Sequence, residues 1–414
     1  MGALAALSTP VLGRARGSAA AHVVVVGGGY GGATAAKYLR LASQGKIAVT
    51  LIEPNPVFIS CPISNLVLEG RFTIDDVTRP YTQLDKRHGI NIVHDTVKTI
   101  DPDAKTVTLA NGETVKWDRL IVSPGIDFMW ERIPGMNAEG AQDQIFHAWK
   151  PGMQTVALRK QLEAMPDGGR FIIAVPEAPY RCPPAPYERA SLVASYFKKH
   201  KPRSKVHIFD ANADVTSKGA LFKAAWKEHY PDIIEYTPAF KAVDVVAAEN
   251  KVIFELGEEE TADVLNFVPP MRAGDLALKA GLTTANDRWC EVDFLTFESI
   301  AVPGVHVLGD AIQVAPAMPK SGHMANQHGK TCAFAVAALL LGRPVNGDPI
   351  YSNTCFSFVS DSLAMHVASV HRFDPGKKTM LTVEGSGGVS ATSTDKEGEH
   401  AISWSRAIWA DVLG

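Results

Sequence analysis

Val23-Val24-Val25-Val26 is a continuous β-branched run, the pattern of a strand buried on both faces. Gly27-Gly28-Gly29-Tyr30-Gly31-Gly32 follows, then a predicted helix through about Leu41, then the strand Ile47–Ile52 ending at Glu53. This is a strand–turn–helix–strand unit. Thr106–Leu109 and Thr114–Trp117, alternating about Asn111-Gly112, predict a hairpin. Leu120-Ile121-Val122 is another buried strand and leads into the turn Ser123-Pro124-Gly125. A second unit opens with the strand Phe171–Val175. It continues with a helix over Pro186–His200 and the strand Val206–Phe209, ends at Asp210, and adds β segments up to Val264–Val268. Val305–Leu308 delivers Gly309-Asp310 and reads as a return to the first unit. A long helix follows, and its apolar stretch Cys332–Leu341 is too short to span a bilayer. From about Asn346 the pattern is mixed, with Ser, Gly and Thr loops over 385–394 and a final aromatic helix around Trp404 and Trp409.

Composition narrows the class. Of 414 residues, 46% are hydrophobic and 21% charged, which suits two or three globular domains with substantial cores. A formal net charge of -3 without a large basic field argues against a nucleic-acid partner. Lys198-Lys199-His200-Lys201 closes a predicted helix, where cations complement the dipole. Residues 1–21 carry Arg14, Arg16 and Ala19-Ala20-Ala21 but no acid, and they read as the remnant of an export signal.

Gly27-x-Gly29-x-x-Gly32 has the spacing of a dinucleotide fingerprint. Gly27 serves the tight turn, Gly29 the close approach of a pyrophosphate, and Gly32 the helix–strand packing. Glu53, 21 residues after Gly32, stands at a strand end where an acid takes ribose hydroxyls. The corresponding turn of the second unit, Pro176 to Glu188, contains no glycine. Prolines there remove N–H donors that a nicotinamide cofactor needs, so one dinucleotide and no NAD(P) is expected. The turn offers Cys182 instead. Arg181 and the start of the following helix predict a thiolate at Cys182. Glu188, in the first helical turn, either moves protons or complements the dipole.

Five cysteines occur, Cys61, Cys182, Cys290, Cys332 and Cys355, none paired at metal-site or redox-motif spacing. Cys355 is the partner candidate for Cys182, although spacing alone leaves the connectivity open. Taken by itself, Cys61 reads as a buried structural thiol. Gly309-Asp310 after an apolar strand resembles the second FAD signature of two-dinucleotide-binding flavoproteins, and Ser123-Pro124-Gly125 sits where they carry an Ala-Thr-Gly-like turn.

The chain as a whole resembles the flavoprotein subunit of flavocytochrome c sulfide dehydrogenase. The residues that carry the resemblance are Gly27–Gly32, Glu53, Ser60-Cys61 with Ser64-Asn65, Arg181–Pro184 with Pro186–Ser191, Pro269-Pro270 with Arg272–Gly274, Gly309-Asp310, Met318–Gly322, Asn353–Cys355 and Ser403-Trp404. The resemblance implies an α/β, glutathione-reductase-like fold with two Rossmann-like domains and a small C-terminal α+β domain. Residues 22–149 with 271–345 would bind FAD, 150–270 would form the second Rossmann-like domain, and 346–414 the C-terminal interface domain. It implies FAD held by Gly27, Gly29, Gly32, Glu53, Ser123, Gly125, Asp310 and Lys320 and linked through a thioether to Cys61. It further implies a redox disulfide between Cys182 and Cys355, with Glu188 and Trp404 beside it, and leaves Cys290 and Cys332 structural.

The expected function is periplasmic oxidation of hydrosulfide, with electrons passing through FAD to a c-type cytochrome. The chain has no haem-attachment motif of its own, so the haem belongs to another polypeptide. No integral membrane segment and no metal ligand set is expected. Two alternatives are a sulfide:quinone reductase-like enzyme and a non-catalytic flavoprotein component of a sulfur-oxidation complex.

Overall fold

The computed structural model describes residues 21–414. The export-signal reading therefore falls outside the described residues except at Ala21. Ala21 is the first residue of the Ala21–Val26 strand and pairs with Ile47.

Five parallel strands form the first sheet, in the order Val305–Val307, Arg119–Val122, Ala21–Val26, Ile47–Ile52, Asn91–Val93. Val23, Val24 and Val25 are fully buried at its centre, as an unbroken apolar run requires. Helix Tyr30–Ala42 covers the sheet and packs against helix Gly322–Leu340. Small residues permit this approach: a Cβ on Gly329 would come within 2.5 Å of the Gly31 carbonyl oxygen. The long helix starts where the Ser321 hydroxyl accepts a hydrogen bond from the Met324 N–H.

The second sheet is also parallel, in the order Ile234–Thr237, Lys205–Asp210, Arg170–Val175, Val264–Phe267. Helix Ala185–His200 lies on it. The C-terminal region is an antiparallel sheet built on the long pair Ile350–Phe358 and Ala364–Asp374, backed by helix Asp395–Leu413. The expected hairpin is present as Thr106–Leu109 and Thr114–Lys116. Among the described residues no helix is long and apolar enough to cross a membrane.

Candidate functional site

The C-terminal ends of the first sheet open onto a cavity of about 280 Å³, lined in part by Gly29, Cys61, Arg181, Cys182 and Asp310. It is continuous with a second space of about 580 Å³ that reaches Gly27, Asp95 and Thr96. Gly29, Glu53, Ser123, Gly125 and Arg181 line both, so the two make one elongated trough. The three fingerprint glycines have different surroundings. Gly27 has φ +95°, and a Cβ on Gly32 would lie 1.9 Å from the Gly27 oxygen. A Cβ on Gly29 would meet nothing within 4 Å, because it points into the trough. Glu53 is buried at the strand end, where its Oε2 accepts from the Gly28 N–H at 2.7 Å and its Oε1 accepts from Asn55.

Two charged groups face the trough with atoms left unpartnered. Asp310 Oδ1 is buried without a hydrogen bond, and so is Arg181 Nε. Burial pushes the Asp310 carboxyl above the ordinary range, against the pull of Arg181 and Lys320. Lys320 takes a different place from the one expected. Its Nζ donates to the Asp310 and Ile312 carbonyls at 2.9 and 2.6 Å and sits 3.6 Å from the centre of the Trp289 ring. Burial brings its pKa down to about 7. Lys320 therefore braces the loop carrying Asp310 from behind, which an apolar-strand-plus-motif reading does not distinguish from contact with a ligand.

At the Cys61 end the trough narrows to a space of about 50 Å³, room for one or two water-sized molecules. Cys61, Cys182, Cys355, Glu188 and Trp404 all line it. Cys61 is thus a cavity-wall residue and not the buried structural thiol its sequence context indicates. Cys290 and Cys332 are fully buried elsewhere. All five cysteines stand as thiols in the structure, so the Cys182–Cys355 disulfide expected from the resemblance is not formed in it, although both residues line one space. Cys182 has φ +59°, a left-handed conformation that costs a residue with a side chain about 1–3 kcal/mol. Its N–H is held by the Lys320 carbonyl at 2.9 Å.

The thiolate expected at Cys182 is corrected by its surroundings. Burial, then Cys355, Cys61 and Glu188, raise its pKa well above the ordinary thiol value, and the opposing effect of Arg181 is smaller. Burial likewise raises Cys355, against the nearby Lys218 ammonium. Glu188 lies in the first turn of helix Ala185–His200, as expected, and faces inward. It is 7% exposed, and its two oxygens accept from the Phe358 N–H and from Asn65 Nδ2, each at 2.8 Å. Burial pushes its carboxyl up, against those two bonds.

Asn65 and Arg189 are among the residues that carry the resemblance, but the sequence assigns no role to them as supports of this pocket. Asn65 Oδ1 accepts from Arg189 Nε at 3.1 Å, and Arg189 also donates to the His147 and Ala148 carbonyls and to Asn266. His323 accepts from the Thr354 N–H and meets Trp404 edge-on, which fixes the segment before Cys355. Lys218 was not singled out at all. Its only signal is a lysine next to a glycine in a loop, and its proximity to Cys355 spans 137 residues of chain.

The second unit has an acid where a nicotinamide ribose would be bound, but it is occupied. Asp210 is fully buried and accepts from the Tyr187 hydroxyl at 2.6 Å and from Tyr236 at 3.1 Å. Among the described residues no group of three or more His, Cys, Asp or Glu side chains could hold a metal ion.

Two family models describe this arrangement. Residues 155–269 match the central domain of the sulfide dehydrogenase (flavocytochrome c) flavoprotein chain, and residues 347–413 match the flavocytochrome c sulphide dehydrogenase flavin-binding domain. Residues 21–172 match the pyridine nucleotide-disulphide oxidoreductase model. A 46-residue segment is 60% identical to the sulfide dehydrogenase (flavocytochrome c) flavoprotein chain of Chlorobaculum thiosulfatiphilum, covering 11% of this chain and 94% of that sequence. The chain belongs to the flavocytochrome c sulfide dehydrogenase flavoprotein family.

More distant similarity extends further along the chain. The mitochondrial sulfide:quinone oxidoreductase of Dictyostelium discoideum is 25% identical over 302 residues, covering 70% of this chain and 64% of that protein, just under two thirds of its length. The solved sulfide:quinone oxidoreductase of Aquifex aeolicus superposes with a TM-score of 0.75 at 20% identity, over 95% of this chain and 91% of that one, which shows a shared fold. In this flavoprotein family member the trough fits FAD. A glycine leaves the wall open where a pyrophosphate would pass, an acid stands at the ribose end, and a half-buried carboxylate and a half-buried guanidinium, each with one buried unpartnered atom, stand at the other.

Proposed function

We propose that this protein oxidises hydrosulfide through a Cys182–Cys355 disulfide beside FAD and delivers the electrons to a c-type cytochrome. The observation that supports this most directly is the convergence of Cys61, Cys182 and Cys355 on one narrow space at the end of the dinucleotide trough. Hydrosulfide is small enough for that space. As a nucleophile it opens the disulfide, forming one S–S bond and breaking another, so that one cysteine becomes a persulfide and the other a thiolate. Burial raises both thiols, so Lys218 beside Cys355 and Arg181 beside Cys182 are the cations available to the departing thiolate. Glu188, whose carboxyl burial holds above the ordinary carboxylate range, lines the same space and is the group positioned to take the proton released.

Gly29, Glu53, Ser123, Gly125 and Asp310 would hold FAD, with Cys61 as its covalent anchor. Bound FAD supplies the two-electron acceptor for the sulfur chemistry. The proline-filled turn and the committed Asp210 support the absence of NAD(P). A cytochrome acceptor goes with a periplasmic location. A second reading, quinone as acceptor, is favoured by the similarity to sulfide:quinone oxidoreductases.

Anaerobic titration with sulfide tests the reaction, and mixing the reduced protein with either acceptor tests the outlet. Bleaching of the flavin band followed by rapid reoxidation with cytochrome c is expected. Reoxidation by a short-chain quinone alone would replace the cytochrome by the quinone. An unbleached flavin would remove the enzymatic reading in favour of an accessory flavoprotein.

A further inference from the structure

The second Rossmann-like unit keeps a crevice where open α/β sheets bind ligands, at the carboxyl ends of its strands. A cavity of about 250 Å³ lies against Ala174 and Val175 at the end of one strand, and against Phe267 and Val268 at the end of its neighbour. That volume is just below the range of about 300–1,000 Å³ usual for drug-sized ligand sites and too small for a whole dinucleotide. The Pro176 turn lines it where a glycine loop would otherwise carry a pyrophosphate. It is separate from the flavin trough and the cysteine pocket.

Its charge is unbalanced. Arg132, Lys241 and Arg288 line it, against the single carboxylate of Glu177. Lys241 Nζ is 4.0 Å from Glu177 and 3.2 Å from Glu255, both exposed. Arg288 uses Nε and Nη2 on the Met271 and Pro179 carbonyls. Burial, then the like charge of Arg132, hold the Arg288 guanidinium below its ordinary value. Two guanidiniums and an ammonium, with Glu177 and Glu255 both beside the ammonium, leave a surplus of positive charge that suits an oxyanion, which accepts several N–H donors at once. The remaining wall, from Ile133, Val243 and Phe267, is apolar.

We propose that this crevice binds a compact organic phosphate of nucleoside monophosphate size, its charged head at Arg132, Lys241 and Arg288 and its body on the apolar wall. Arg288 connects the site to the chemistry, because it also holds Pro179 in the turn that leads to Cys182.

Calorimetry and thermal melting of the flavin-loaded protein test this, with adenosine monophosphate as probe. The monophosphate is expected to raise Tm, and uncharged adenosine to leave it unchanged. The double variant R132Q/K241Q is expected to bind the monophosphate at least tenfold more weakly, with sulfide-driven flavin bleaching intact. Arg288 is left in place because it supports two carbonyls. Absence of a shift, or a shift that survives in the double variant, overturns the site. Inorganic phosphate binding as tightly as the monophosphate overturns the organic body, and NAD binding more tightly than the monophosphate overturns the size limit.

Discussion

Lys218 Nζ donates a 3.1 Å hydrogen bond to the backbone carbonyl of Cys355, bringing a loop of the second Rossmann-like unit against the C-terminal sheet. Lys218 is 8% exposed, so its charge acts on the Cys355 thiol with little screening by water. It opposes the effect of burial on that thiol. Lys218→Met is expected to raise the pH at which Cys355 becomes a thiolate and to cut the rate of flavin bleaching near neutral pH about tenfold. A pH profile unchanged from the parent would remove Lys218 from the chemistry.

The three pocket cysteines separate by readout. Cys182→Ser and Cys355→Ser should each abolish bleaching by sulfide while the yellow colour stays with the protein. Cys61→Ser should leave bleaching measurable, and acid precipitation should then give a colourless pellet. Bleaching retained in Cys182→Ser would sink the disulfide mechanism.

Glu188 has both oxygens committed to donors, Asn65 and the Phe358 N–H. Glu188→Gln must present an NH2 group to one of them and loses the ionisable carboxyl. The bleaching rate is expected to fall by about a hundredfold, the scale of a lost general base, with flavin content preserved. Stopped-flow absorbance across pH 5 to 9 checks it, and an unaltered profile would leave Glu188 a purely structural residue.

Gly29 and Gly32 predict opposite failures. Gly29→Ala adds a methyl group that meets no protein atom, so the variant should fold with unchanged circular dichroism and lose flavin. Gly32→Ala places the methyl group 1.9 Å from the Gly27 oxygen, so it should lower Tm or prevent folding. Visible absorbance and thermal melting distinguish the two.

Three buried histidines make the fold acid-sensitive. Burial drives His147 and His328 down to about 3 and His306 to about 4, from an ordinary value of 6.5. Below pH 6.5 the unfolded chain takes up protons that the folded one does not. Stability is therefore fully present above pH 6.5 and is lost as pH falls towards 4, at up to about 1.4 kcal/mol per pH unit for each histidine. Tm measured from pH 7.5 to 4.5 should show this fall. His328→Leu, replacing a ring with neither nitrogen bonded, should reduce its slope.

The sequence by itself determined the strand–turn–helix units and the turns that glycines open. Unbroken apolar runs such as Val23–Val26 and Phe171–Val175 must be buried on both faces, and glycine spacing dictates where a backbone can approach a phosphate. These are local rules of backbone sterics and solvent exclusion, so the first fingerprint, Glu53, the glycine-free second turn and the late Gly309-Asp310 were all legible. What only the tertiary structure decided is what those residues face. Arg181 next to Cys182 implied a thiolate, yet desolvation by distant segments outweighs one neighbouring cation. Lys320 looked like a cofactor ligand and instead braces the carbonyls of Asp310 and Ile312. Cys61, Glu188 and Cys355 come from three separate regions of the chain and share one wall only because the sheets and the C-terminal helix pack together. Charge, burial and proximity depend on atoms brought near by folding, and no local pattern encodes them.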